Sequence, residues 1–271
     1  MTTTDFPAAD TVATAATAAP VALVTGAGRR LGRAIALGLA RAGWDVVVHY
    51  RDSAAEARAV ADAIAAMGRR AATVRCDLAD EAAVRALLPQ AIAALGLVRC
   101  VVNNASLFDY DNAQDFTVAR LDAHMHANVA APILLAQALH AATPADAPAG
   151  QAVVINLLDQ KLYNLNPDFL SYTLSKAALH TATTMLAQQL APTVRVVGVA
   201  PGITMVSGDQ SEDGFANAHQ QTPLGRSSTP EDIAHSVVYA ATARALTGTT
   251  LLVDGGQHLV PLPRDVMFLA K

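Results

Sequence analysis

Short apolar runs, many of them β-branched, alternate with longer Ala- and Leu-rich stretches from residue 21 to residue 253, and this leaves few folds open to the chain. Val21 to Val24 predicts a first strand, and the stretch beyond it a helix to about Arg41, ended by Gly43. Val46 to Tyr50 is a second strand, followed by a helix from about Ala54 to Met67 that Gly68 closes. Ala72 to Cys76, a helix from Glu81 to Leu95 closed by Gly96, and a strand from Arg99 to Val102 continue the series. A polar and aromatic segment, Leu107 to Arg120, then precedes a helix expected from about Leu121 to Leu139. Val153 to Leu158 and Val194 to Ala200 read as buried strands on either side of a helix from Ser171 to Leu190. Thr229-Pro230-Glu231-Asp232 is a helix cap with Pro at the first helical position, opening a helix to about Arg244, and Thr249 to Val253 is a last strand. Strands and helices alternating over short links predict an α/β fold: one doubly wound parallel sheet covered on both faces. No repeat, linker or second domain interrupts the pattern, and 271 residues suit a single large domain.

The composition removes several function classes. A formal charge of -4 with no basic face argues against a nucleic-acid surface. Cys76 and Cys100 lie in or beside apolar runs without Cys-x-x-Cys or Cys/His spacing, so they read as small core residues in a reducing compartment. His124 and His126, two apart, cannot share a helix face, and no metal site is expected. Residues 1–19 are expected to be a disordered tail, since they have neither a basic start nor a long apolar stretch. No apolar run is long enough for a membrane helix, and a cytoplasmic protein is expected.

The first strand runs through TGAGRRLG, Thr25 to Gly32, straight into a helix. Strand, glycine turn, helix is an arrangement that binds a pyrophosphate: Gly26 permits the tight turn, Gly32 lets helix pack on sheet, and the helix N-terminus offers free N–H groups. Arg29, Arg30 and Leu31 within the turn are expected on the cofactor side. The second strand ends where an adenosine ribose would lie, at Tyr50, Arg51, Asp52 and Ser53. Arg51 there favours the 2′-phosphate of NADPH, Asp52 is the contrary sign, and the alternative is that the two form only a solvated pair. Asp77 with Leu78 after the third strand, and Asn104, Ala105 and Ser106 after the fourth, are expected along the same crevice, as are Pro201, Gly202 and Ile203. Thr204 to Thr229 has little regular signal and reads as a lid.

Chemistry is concentrated between Val153 and Lys176. Asp159 stands at the carboxyl end of the predicted strand, and Tyr172 and Lys176, four apart, share one helix face. An ammonium beside a phenol favours phenolate, so Lys176 is expected to lower the Tyr172 pKa from about 10 towards working pH. Asp159 has two readings: an acid whose pKa burial raises, or a structural carboxylate capping the following loop.

Tyr172-x-x-x-Lys176, TGAGRRLG, NNAS at 103–106, Asn128 within a helix, Pro201-Gly202 and Asp254-Gly255-Gly256 together resemble the short-chain dehydrogenase/reductase family, over about residues 20–259. The resemblance implies a single Rossmann domain with a seven-stranded parallel sheet, usually a homotetramer, which moves hydride between a nicotinamide and a carbonyl or imine. It also implies an interface of two-fold symmetry in Pro230 to Val253, and a water held behind Lys176 by Asn128. Arg30 where the family normally has Gly, Asp159 where it normally has Ser, Ser106 with Phe108, and HYRDSAAEA at 49–57 resemble the pteridine and dihydromonapterin reductases. In that subfamily the matching Arg reaches pterin and cofactor phosphates, the matching Phe stacks on the pterin, and the Asp works with Tyr and Lys. A pterin is a flat heteroaromatic with a polar edge, which suits Phe108, Ser106 and Arg30.

The expected function is therefore NADPH-dependent reduction of a dihydropterin, with catalytic Asp159, Tyr172, Lys176 and Asn128. Arg30, Ser106, Phe108, Asp159 and Tyr172 meet the substrate in this reading. A ketone or sugar reductase of the same family is the alternative, and a catalytically idle protein that senses the dinucleotide is the alternative of another class.

Overall fold

The computed structural model describes residues 19–205, 217, 219, 220 and 222–269. Seven strands, β1 (Val21–Val24), β2 (Asp45–Tyr50), β3 (Ala71–Arg75), β4 (Val98–Asn103), β5 (Ala152–Leu157), β6 (Val194–Pro201) and β7 (Thr250–Val253), form one parallel sheet in the order β3-β2-β1-β4-β5-β6-β7. The chain's direction across the sheet reverses between β1 and β4, which opens a crevice at the carboxyl ends of those strands. The expected doubly wound α/β fold is therefore present as a single Rossmann domain.

Side chains alternate across each strand, so every strand feeds two cores. Ala22, Val24, Val46, Val48, Val102 and Ile155 point to one face, where helices α1 (Arg30–Arg41), α2 (Ala54–Ala66) and α7 (Pro230–Thr242) cover them with Ile35, Leu39, Ile64, Ile233 and Val237. Val21, Leu23, Val47, Val101, Val154 and Val196 point to the other. There α3 (Glu81–Leu95), α5 (Ala131–Ala142) and α6 (Leu170–Leu190) supply Leu87, Leu88, Leu135, Leu139 and Leu190. Cys76 and Cys100 are buried free thiols, pushed by burial up to about 11 and about 12. The Thr229 cap is present in full, with Asp232 Oδ2 accepting from the Thr229 N–H and Thr229 Oγ1 accepting from the Asp232 N–H.

Several sequence expectations are corrected in detail. Six of the seven strands, with helices α2 and α6, shift by one residue at one end or both, and α7 ends at Thr242 instead of Arg244. The helix expected over Leu121 to Leu139 begins earlier, as α4 (Val118–Met125), passes through a wide π turn (His126–Ala130), and continues as α5 to Ala142. A π turn adds a residue to the helix without ending it, so it leaves little mark on apolar periodicity. Residues 1–18 of the expected tail, and residues 206–216, 218 and 221 of the expected lid, lie outside the described residues.

Candidate active site

A cavity of about 480 Å³ lies at the carboxyl ends of β1, β4, β5 and β6. One end is built from the first βα turn. Gly26 has φ 62, in the left-handed region that glycine enters without a Cβ penalty. Its N–H donates to His49 Nδ1 at 3.0 Å, and the other ring nitrogen of His49 stands 3.1 Å from the Cys76 carbonyl oxygen. Burial lowers the His49 pKa to about 4, so the ring is neutral and carries its hydrogen on the nitrogen facing that carbonyl. Gly32 packs so closely that a Cβ would strike the Gly26 carbonyl and come within 2.6 Å of Asn104 Nδ2. Asn104 Nδ2 also donates to the Thr25 carbonyl at 2.9 Å, and the N–H groups of Asn104 and Ala105 donate to Thr25 Oγ1. The turn is thus held from β2 and from β4, with the N-terminus of α1 facing the crevice, an arrangement suited to the phosphates of a dinucleotide.

Gly26, Arg29, Arg30, Leu31, Gly32, Asn104, Ala105, Ser106, Tyr172, Lys176, Pro201, Gly202 and Ile203 all line this cavity. Tyr50, Arg51, Ser53, Asp77 and Leu78 do not; they lie at or after the carboxyl ends of β2 and β3. Tyr50 packs against one core and Leu78 against the other, while Asp77 accepts from the Ala79 N–H and Ser53 precedes α2. Arg51 and Asp52 are both exposed and paired at 2.7 Å. Arg29 is ion-paired with Glu56. Arg30, the first residue of α1, has φ 50, a left-handed backbone that costs a side-chain-bearing residue roughly 1–2 kcal/mol.

At the other end, Asp159 follows β5 and divides its two oxygens. Oδ1 accepts from the Lys161 N–H at 2.8 Å and caps the short 3₁₀ turn Gln160–Tyr163, while Oδ2 accepts from the Tyr172 hydroxyl at 2.8 Å. The capping expected as the alternative is thus present, beside a contact with the tyrosine. Burial raises the Asp159 pKa above the ordinary carboxylate range, against the two hydrogen bonds and Lys176, which pull it down.

Tyr172 corrects the expectation placed on it. Burial first, and the Asp159 charge second, raise its pKa well above the usual phenol value. Lys176 Nζ lies 5.6 Å from the centre of the ring and donates to the Leu157 carbonyl at 2.7 Å; burial lowers its own pKa to about 8. Burial and the neighbouring carboxylate outweigh the lysine's charge, so Tyr172 is a hydrogen-bond donor at neutral pH.

Asn128 lies in the π turn, buried and outside the cavity. Its Oδ1 accepts from the Leu107 N–H at 2.8 Å, and its Nδ2 donates to the Leu107 carbonyl and to Ser175 Oγ, each at 3.0 Å. It ties the loop after β4 to α6 beside Lys176. Phe108, on the same loop and 43% exposed, faces the cavity.

Some of the supports have no local signature. Phe169 has φ 56 and stacks on Phe108 with centroids 4.3 Å apart, and the Phe108 ring meets Tyr172 edge-on at 4.6 Å. Buried Asp111 caps α6 from a distance: its carboxylate accepts from the Ser171 N–H at 2.9 Å and from the Ser171 hydroxyl, and its carbonyl accepts from the Leu170 N–H. Asn103 Nδ2 donates to Asn156 Oδ1 at 2.8 Å, and Asn156 Nδ2 donates to Thr183 Oγ1 at 2.9 Å, pinning α6 to β4 and β5. Only the residue types hint at these roles; their hydrogen-bonded pairings join residues up to 60 apart.

Known proteins place this geometry. A family model described as enoyl-(acyl carrier protein) reductase matches residues 26–258. The chain belongs to the short-chain dehydrogenase/reductase family. Among solved members, the FolM alternative dihydrofolate reductase 1 of Brucella canis, complexed with NADP, superposes with a TM-score of 0.83 at 38% identity, covering 89% of this chain and 95% of that one. An uncharacterized oxidoreductase of Mycobacterium tuberculosis is 38% identical over 87% of this chain and 91% of its own length. A putative ketoacyl reductase of the granaticin polyketide synthase of Streptomyces violaceoruber is 34% identical over 92% of this chain and 100% of its own. In this member the tyrosine of the Tyr172-x-x-x-Lys176 pair is hydrogen-bonded to a carboxylate, that of Asp159.

Proposed function

We propose that this chain is an NADPH-dependent reductase of dihydropterins, of the dihydrobiopterin, dihydromonapterin or dihydrofolate type, forming the tetrahydro product. The observation that carries the reading is the 2.8 Å bond from Tyr172 to Asp159, a carboxylic acid where the family ordinarily has serine. The likeness to the dihydrofolate reductase of Brucella canis supports it.

NADPH, when bound, supplies the hydride. The glycine turn and the N-terminus of α1 would hold its pyrophosphate, Arg51 its 2′-phosphate, and Lys176 the ribose hydroxyls beside the nicotinamide. What the protein must add is one proton at the ring nitrogen of the C=N bond. Tyr172 keeps its proton at neutral pH, and Asp159 is raised towards keeping one. When Asp159 is protonated, the contact between them runs from carboxyl to phenol oxygen, and the phenol hydrogen is left for the substrate nitrogen. A serine hydroxyl holds no comparable acidic proton. Phe108, stacked on Phe169 at the cavity mouth, offers a face for a flat heterocycle, with Ser106 and Arg30 along its edge. Buried free thiols at Cys76 and Cys100 fit a reducing, cytoplasmic setting.

A second reading, reduction of a ketone or sugar, is supported by the likeness to the granaticin ketoacyl reductase. NADPH oxidation with dihydrobiopterin, dihydromonapterin, dihydrofolate and simple ketones separates the two, with Asp159→Ser run beside the wild type. The expected result is pterin turnover that falls on the order of 10²-fold in the variant, the scale of one general-acid group. Ketone turnover by the wild type without pterin turnover, raised further by Asp159→Ser, would establish the second reading instead.

A further inference from the structure

The ribose end of the crevice holds another arginine, Arg75, to which no role has yet fallen. It is the last residue of β3, opposite Tyr50 at the end of β2, and the two strand ends are joined by the Cys76 N–H, which donates to the Tyr50 carbonyl at 3.0 Å. The side chain is exposed yet anchored. Its Nε donates to the Arg51 carbonyl at 3.1 Å, which brings the guanidinium beside the carboxyl end of β2. The glycine turn borders the same place: a Cβ on Gly28 would come within 2.9 Å of Ser53 Oγ, and Arg29 in that turn is ion-paired with Glu56. In an open α/β sheet the adenosine ribose of a dinucleotide lies here.

The charges gathered there are not equally available. Arg51 is paired with Asp52 at 2.7 Å and Arg29 with Glu56, so each of these guanidiniums already has a carboxylate beside it. Asp77, at the same strand ends, turns Oδ1 to the Ala79 N–H. Arg75 has no carboxylate partner among the described residues, and its bond to the Arg51 carbonyl uses the Nε hydrogen alone. The fork of Nη1 and Nη2 is left, in the geometry that meets a phosphate with two parallel bonds. Holding the Arg51 carbonyl does not by itself call for an arginine, because the bond lies at an exposed position where water serves a carbonyl as well. The Arg51–Asp52 pair, neutral as a whole, does little to draw a phosphate to this place.

We infer that Arg75 is a specificity-determining residue for the cofactor, meeting the 2′-phosphate of NADPH with its terminal nitrogens and supplying the net positive charge that the Arg51–Asp52 pair lacks. The inference rests on the NADPH part of the reading above and is independent of which substrate is reduced. Arg75 takes no part in hydride or proton transfer; it sets which dinucleotide is held.

The test titrates adenosine 2′,5′-bisphosphate and adenosine 5′-monophosphate, which differ only in the 2′-phosphate, into the full-length protein by calorimetry. Wild type, Arg75→Gln, Arg75→Lys, Arg51→Gln and the double variant Arg51→Gln with Arg75→Gln are measured, each with a thermal melt to establish that it is folded. Arg75→Gln should lower the preference for the bisphosphate by about 10-fold, the low end for a charge-assisted bond and the one suited to an exposed site, and leave monophosphate affinity within about twofold of wild type. Arg75→Lys keeps the charge and loses the fork, and should retain part of the preference. In the Arg51→Gln background the change at Arg75 should lower the preference again. If Arg75 acts only by holding the Arg51 backbone, that second change will add nothing, and the inference is overturned. An unchanged preference in Arg75→Gln overturns it as well, while the NADPH selectivity of the wild type stands. A wild type that binds the two nucleotides alike removes the NADPH reading, and the inference with it.

Discussion

Lys176 shows at the scale of one residue how function and stability pull apart. Its amine is buried against the Leu157 carbonyl, and burial lowers its pKa to about 8, whereas an unfolded lysine titrates near 10.4. Below pH 8 the amine is charged in both states, and the folded protein bears the full cost of burying that charge. As pH rises from about 8 to about 10.4 the folded state sheds its proton before the unfolded state does, and the cost disappears. Lys176→Met should therefore melt at a higher temperature than wild type at pH 7, with the difference shrinking towards zero at about pH 10, while NADPH oxidation is lost. Thermal melts of both proteins at the two pH values check this, and a constant difference across them would mean that the lysine's charge is not the cause. The sequence pointed to Tyr172 and Lys176 through their four-residue spacing. It could not give the sign of their electrostatics, which depends on how deeply three groups are buried and on a carboxylate placed by another element.

Elements were legible wherever the signal was local. The strand and helix alternation, the glycine turn and the Thr229 cap are all carried by neighbouring residues, and all are present. Signals that cross the fold were not legible: Asp111 sits in an irregular loop, yet it caps α6, whose own preceding residue, Phe169, offers no side-chain cap. Loop and helix are therefore one mechanical unit, with Phe108 on the first and Tyr172 on the second. Asp111→Ala leaves the Ser171 N–H and hydroxyl without their buried partner and should cost about 1–3 kcal/mol of unfolding free energy. Because the freed loop carries Phe108 and not the cofactor turn, KM for dihydropterin should rise several-fold while the Kd for NADPH stays within twofold of wild type. Denaturant melts and NADPH fluorescence titrations measure the two effects, and an equal loss of both affinities would show that the loop does not move independently of the cofactor turn.

For the whole molecule, the two ends of the site are built differently. The nucleotide end comes from one βα turn and its neighbouring strands, so a short motif announces it. The substrate end draws on residues 107–111, 159–172 and 264–268, which meet only when the sheet is complete. Among the described residues no helix is long and apolar enough to cross a membrane. The outer side of α7 exposes Tyr239 at 58%, and the family resemblance assigns this helix and β7 to a two-fold interface. Multi-angle light scattering at micromolar concentration should then give a dimer or tetramer, and Tyr239→Glu should shift the mass towards the monomer. A monomeric wild type would rule the interface out.

The divided carboxylate of Asp159 has a bearing on descent. One oxygen keeps a turn in place and the other accepts from the Tyr172 hydroxyl, and serine can take over the first task because short hydroxyl side chains also cap turns. A lineage can therefore exchange acid for hydroxyl at this position without dismantling the wall around it, and on the proposed reading would pass between imine and carbonyl chemistry through ancestors that stay folded.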